Sequence, residues 1–337
     1  MIKTSFIFVL LVAVSGLQLA CDRDKDTAQA KAQTPAKADA DKSIEAAISF
    51  PPQSGPLARI DAERTMQYVK DVVKFGERPI GSANHKKLED YILAHLKGDD
   101  VESDIFTADT VEGKFPVHNI IAKFPGTKDG IIVIAGHYDT NYPLRGTGYV
   151  GANDGGSTTA LLLEFANQLR GKKRDGYSIW LLWTDAEEAV KSWSNTDSLY
   201  GTRHLAEKWQ QDGTAKKIKA FLLADMLGDK DLDIDRDLNS TQWLETVVYE
   251  AATRLGYQSH FFAHNNAIED DHVPFMKIGV PCADIIDIDY GYNGAYHHTK
   301  DDTIDKLSVE SLKISGSVIL ETADILDNME PLPPKLN

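Results

Sequence analysis

Ile131–Ala135 and Ile179–Trp183 are unbroken apolar runs, without the polar residue at every second position that a half-wet strand shows. A strand covered on both faces reads this way. Such strands require a sheet with helices on either side. The rest of the chain supplies both partners. Asp104–Thr110, Val117–Phe124, Tyr177–Trp183, Ile218–Leu223 and Ala283–Ile286 read as strands, and Tyr257–Ala263 as a further one. Between them, helical spacing marks Ile60–Phe75 (Met66, Val69, Val72, Val73), Ala83–Leu96, Thr158–Arg170, Gly201–Gln210, Ser240–Leu255 and Val309–Leu326. A short helix begins within Asp271–Met276. Strands alternating with helices predict an α/β fold: a three-layer α/β/α sandwich around a central, mostly parallel mixed sheet.

The segment before the first helix does not belong to this pattern. Lys3 precedes an almost wholly apolar stretch, Ser5–Ala20, and Cys21 follows Leu19-Ala20. This reads as a signal peptide over residues 1–21 with Cys21 as a lipidated residue, so that the mature protein is exported and tethered to a cell envelope. Asp22–Gly55 is rich in Ala, Asp, Lys, Gln and Pro and poor in large apolar residues, and reads as a disordered tether. The catalytic domain is expected over residues 56–337. With Cys21 lipidated, Cys282 is the second of only two cysteines, so neither a disulfide framework nor a thiolate zinc site is available. The formal net charge of −15 argues against nucleic acid and anionic membranes as partners.

The strand ends carry the chemistry. His137, Asp154, Glu188, Asp225 and His298 each sit at a predicted strand end or in a loop after one. In open α/β sheets, ligand sites form at the carboxyl edge of the strands. Imidazoles and carboxylates without thiolate suit Zn²⁺ in a catalytic role. Asp139, two residues after His137, is placed to accept that ring's second N–H. Glu187 stands next to Glu188, so one carboxylate can bind metal while the other moves a proton. Trp180 and Trp183 read as core, and Trp193 as a pocket residue. Asp229, Asp231, Asp233, Asp235 and Asp237 alternate. They fail the EF-hand pattern, because Ile234 takes the glycine position and Ser240 the place of the terminal Glu. They predict a strand with one wet acidic face. His272 is expected to cap or orient Asp271.

Gly136-His137-Tyr138-Asp139, Gly151-Ala152-Asn153-Asp154, Glu187-Glu188, Asp225 and His298-Thr299 resemble the zinc aminopeptidase superfamily, the M28-like metallopeptidases, over nearly all of Ile60–Leu326. Trp193 with Asp197-Ser198-Leu199-Tyr200-Gly201-Thr202-Arg203-His204, and Ile268-Glu269-Asp270-Asp271-His272-Val273-Pro274-Phe275, resemble one branch, the animal-type and related bacterial glutaminyl-peptide cyclotransferases. That resemblance implies an enzyme that converts the N-terminal Gln of peptides or proteins to pyroglutamate with release of ammonia. It implies one zinc on Asp154, Glu188 and His298, Glu187 as proton shuttle, Asp225 and Asp271 as its acidic partners, and Trp193 in the pocket. His137 and Asp225 match the superfamily's second metal site. A two-zinc aminopeptidase is therefore the alternative. His297 stands where the cyclases have Trp, and Ala186 where they have Gly; the first alters a wall of the substrate pocket.

Overall fold

The computed structural model describes residues 48–53 and 55–333. The reading of residues 1–21 as a signal with lipidated Cys21, and most of the tether, lie outside the described residues. The folded region begins earlier than residue 56. Ile48 and Phe50 pack against the core, and Arg254 donates to the Pro51 carbonyl at 2.6 Å and to Gln53 Oε1 at 3.1 Å. Composition averaged over Asp22–Gly55 does not register these contacts.

The central sheet has six strands in the order β1-β2-β4-β3-β5-β8. These are β1 (Asp100–Thr110), β2 (Gly113–Phe124), β3 (Gly126–His137), β4 (Arg174–Thr184), β5 (Ile218–Asp225) and β8 (Cys282–Ile286). β1 and β2 form an antiparallel hairpin, and β2 runs antiparallel to β4. The pairs β3–β4, β3–β5 and β5–β8 are parallel. The sheet is thus mixed and mostly parallel at its centre, as the apolar runs require.

Each central strand is buried on both faces. In β3, Ile132 and Ile134 pack into one core with Leu161, Leu162, Phe165, Leu181 and Val318, whereas Ile131, Val133 and Ala135 pack into another with Leu182, Leu205, Trp209 and Phe221. The first core lies under α1 (Ala62–Val73), α2 (Ala83–His95), α3 (Gly156–Leu169), α5 (Gln242–Leu255) and α7 (Val309–Asn328); the second lies under α4 (Tyr200–Asp212) and α6 (Val273–Lys277). Among the described residues, no helix is long and apolar enough to cross a membrane. Trp183 is fully buried, but Trp180 is only partly covered, stacked edge-on against Trp209 beneath the Lys123 ammonium.

Two stretches differ from expectation. The segment Tyr257–Ala263 opens as a 3₁₀ turn at Gln258–His260, and β7 runs Phe261–Asn266. It pairs with β6 (Ile234–Asp237) in a separate parallel two-stranded sheet. The aspartates of β6 are not wet. Asp235 and Asp237 are buried, and Asp237 accepts the Asn239 and Ile268 amides at 2.9 Å and the Ser240 hydroxyl at 2.7 Å. At Asp237 the alternation serves loop stapling, whereas Asp231, ahead of the strand, is exposed.

Just past β8, Asp287 accepts the Asp233 amide at 3.1 Å, and burial beside Asp229, Asp233 and Asp235 pushes its carboxyl up to about 8. The unfolded carboxyl loses its proton near pH 4, the folded one near 8, so stability is lost as pH rises across that window. Asp287→Asn cannot ionise. Its melting temperature is expected to match the parent near pH 4 and to exceed it at pH 9. Parallel melting-temperature profiles for the two proteins across this range would refute the assignment.

Candidate active site

The site lies at the carboxyl edge of the parallel strands, where the register sets His137 beside Thr184 and carries β5 out to Asp225. His137 is buried. Its Nε2 lies 3.0 Å from Asp154 Oδ1 and 3.3 Å from Asp225 Oδ1, and its Nδ1 faces Asp139 Oδ1 at 3.5 Å. Asp154 stands in the turn before α3, held by a hydrogen bond from the Tyr149 hydroxyl. The amides of Asn153 and Asp154 donate to the Asp302 carboxyl at 2.8 and 3.2 Å. Gly155 follows with φ 72°, and a Cβ there would come within 2.6 Å of the Asp139 carbonyl and 3.1 Å of the His137 ring. Only glycine lets the turn approach this closely.

Glu187 and Glu188 leave β4 on a sharp turn. Ala186 takes φ 56°, a left-handed conformation costly for a residue with a Cβ. Asp139 accepts the Glu187 and Glu188 amides at 3.3 and 3.4 Å, and the Glu187 and Ala186 carbonyls receive the amides of Leu199 and Tyr200. The turn is pinned from both sides. Glu188 accepts the Asn141 side-chain amide at 2.8 Å and faces His298 Nε2 at 3.1 Å; His298 Nε2 also lies 3.4 Å from Asp154 Oδ2. His298, with φ 50°, comes from the loop before Asp302.

Burial governs the ionisation of these groups. It pushes Glu187 well above the usual carboxylate range; His137 opposes the shift, and Asp270, Glu188 and Asp271 add to it. Burial also raises Asp225 and Glu188. Asp154 goes the other way: burial is outweighed by His137 and His298, which hold it well below its ordinary value. Burial and the neighbouring His298 push His297 down to about 3.

Two overlapping groups could hold a metal ion here, Asp154–His297–His298 and His137–Asp154–Asp225, each with its candidate ligand atoms within 4.8 Å of one another. Glu188 joins the first through its contact with His298. Imidazole and carboxylate without thiolate fit zinc.

Of the residues singled out in the sequence, His137, Asp139, Asp154, Glu187, Glu188, Asp225 and His298 converge. His297 lies against His298, ring centres 4.1 Å apart. Trp193 is partly buried on the loop after the Glu pair and shares none of the ring contacts or hydrogen bonds of the cluster among the described residues. Asp271 accepts the hydroxyls of Thr184 and Thr202, the latter at 2.6 Å, and burial pushes it up to about 6. Its neighbour Asp270, which the sequence did not single out, exerts the larger field on Glu187. His272 does not orient Asp271. It is fully buried with Nε2 at 3.0 Å from Asp237 and Nδ1 at 3.6 Å from Asp284, so the ring bridges two carboxylates from opposite edges. Asn141 and Tyr149 were also missed; neutral loop residues carry no signal of their own.

The profile of peptidase family M28 matches residues 119–323. A glutaminyl-peptide cyclotransferase of Drosophila melanogaster is 31% identical over 267 residues, 70% of this chain and 74% of that one. The chain belongs to family M28, in its glutaminyl-peptide cyclotransferase branch. A crystal structure of an Acidobacteriales bacterium glutaminyl cyclase is similar to the enzyme with a TM-score of 0.80 at 50% identity, covering 83% of this chain and 99% of that one. A Zn-dependent exopeptidase from Parabacteroides distasonis is similar with a TM-score of 0.70 at 28% identity, covering 81% and 100%. The enzyme shares with both the mixed, mostly parallel sheet flanked by helices.

Proposed function

We propose that the enzyme closes the N-terminal Gln of a peptide or protein into pyroglutamate, with Asp154, Glu188 and His298 as the ligands of one zinc ion and Glu187 as the proton carrier. The observation that carries this reading is the division of labour at the Glu pair. Glu188 is tied to Asn141 and His298, whereas Glu187 is buried and held as a strong proton acceptor beside Asp270 and Asp271. Bound zinc supplies a Lewis acid for the γ-carboxamide carbonyl. The α-nitrogen forms a bond to the carboxamide carbon, Cδ, and the bond from that carbon to the amide nitrogen breaks, so the amide nitrogen leaves as ammonia. Glu187 takes the proton from the attacking amine and delivers it to the leaving ammonia, so no proton is consumed. Close carboxylates cannot all be charged, which keeps Glu187 basic enough to accept and acidic enough to return. Asp225 and Asp271 act as its acidic partners, and Asp139 holds the turn and faces His137. Trp193 and His297 are the walls we assign to the substrate.

The site of action is outside the cytoplasm, at a cell envelope through Cys21, on the strength of Lys3 and the apolar stretch Ser5–Ala20.

His137, Asp154 and Asp225 favour one rival, a two-zinc aminopeptidase. One preparation tests both. Offered Gln-peptides and aminoacyl chromogenic substrates side by side, the enzyme is expected to yield pyroglutamate and ammonia, and no free amino acid. His137→Ala is expected to keep one zinc per chain by elemental analysis, with activity reduced only by local disturbance. A fall from two metals to one with loss of all turnover would favour the aminopeptidase.

A further inference from the structure

The turn that carries Glu187 and Glu188 begins at Asp185, a fully buried carboxylate. Its Oδ2 accepts the His118 amide at 2.8 Å, and its own amide donates to Asn119 Oδ1 at 3.0 Å. Its Oδ1 lies 2.7 Å from His85 Nε2, and the Tyr138 hydroxyl lies beside the same carboxylate. His85 lies in the first turn of α2, its amide donating to the Ser82 hydroxyl at 3.1 Å. Its ring is buried and stacks on Tyr138, centres 5.0 Å apart and planes 21° from parallel. Tyr138 sits between His137 and Asp139 and donates its hydroxyl to the His118 carbonyl at 2.9 Å. One imidazole therefore touches both segments that build the site: the end of β3 by stacking and the Glu turn by hydrogen bond.

We infer that His85 is a positioning residue for the reaction, fixing through Asp185 the left-handed turn that sends Glu187 and Glu188 to their separate tasks. The physical need is specific. Ala186 holds a conformation that a residue with a Cβ resists, so the turn must be over-determined by its anchors. A buried carboxylate that loses its partner does not stay where it was; it moves toward water or takes up a proton. Either response shifts the first anchor of the turn. Displacements of about 1 Å at a reacting group lower rates by about 10²-fold. The effect belongs on turnover, because His85 touches neither the proposed metal ligands nor substrate.

The inference rests on the assignment of Glu187 as proton carrier, so Glu187→Gln is measured in parallel on the full chain. His85→Leu, assayed with Zn²⁺ in excess, is expected to lower kcat by about 10²-fold with KM near the parent. His85→Gln, whose amide N–H reaches the place of Nε2, is expected to recover most of that loss. A purely structural role for His85 would lower the melting temperature in both variants without this split. Parental kcat in His85→Leu, or His85→Gln as slow as His85→Leu, overturns the inference. Should His85→Leu not fold, Asp185→Asn carries the same expected fall in kcat, and parental turnover there overturns it. Parental turnover in Glu187→Gln would instead overturn the assignment of the proton carrier.

Discussion

Glu187→Gln is expected to lower turnover by about 10²–10⁴-fold while leaving zinc content unchanged. The amide keeps the size and shape of the acid but cannot take a proton from the attacking amine. Its acidic neighbours are engaged elsewhere: Asp271 accepts two threonine hydroxyls, and Asp270 accepts the Asp271 amide. Glu188 is the mirror experiment. Its oxygens face Asn141 and His298, so Glu188→Gln should lower zinc occupancy. Turnover and elemental analysis on both variants separate the two carboxylates. Equal zinc loss in both would remove the division of labour on which the mechanism stands.

Metal removal is expected to abolish activity, and added Zn²⁺ to restore it. His298→Ala should do the same without recovery. His298 lies 3.1 Å from Glu188 and 3.4 Å from Asp154, and without its imidazole only two carboxylates remain of the proposed ligand set. Two carboxylates alone hold zinc poorly at neutral pH. Full turnover in a preparation shown by elemental analysis to be metal-free would defeat the zinc reading.

The central sheet was legible because its strands are buried on both faces, and Ile131–Ala135 and Ile179–Trp183 say so residue by residue. The metal-site candidates were legible because a parallel sheet gathers strand ends at one edge, so His137 and Asp225 had to meet. What escaped has physical causes. In the alternation of Asp229–Asp237, Asp231 is exposed and Asp233 half-buried, but Asp229, Asp235 and Asp237 are buried, and buried carboxylates leave the same pattern as wet ones. That Asp270 bears on Glu187 alongside Asp271 depends on which way each side chain leaves a non-repetitive segment, and no period fixes that. Asn141 and Tyr149 act through single hydrogen bonds, which composition does not register. Ile48 and Phe50 lie in a short apolar patch, Ile44–Pro52, which an average over the polar Asp22–Gly55 stretch conceals.

The dispersal of the ligand groups has a consequence for assembly. His137 ends β3, Asp154 stands just before the next helix, Glu188 follows β4 and His298 lies beyond β8 in the chain. No local fragment of the chain contains a binding site, in contrast to short-spaced zinc fingers, where metal nucleates the fold. On the proposed ligand set, metal capture would wait until the sheet is complete. An ion that binds the finished domain and not its pieces would add to the stability of the whole domain by mass action, and a chain that stalls before its last parallel strand inserts would gain nothing from zinc.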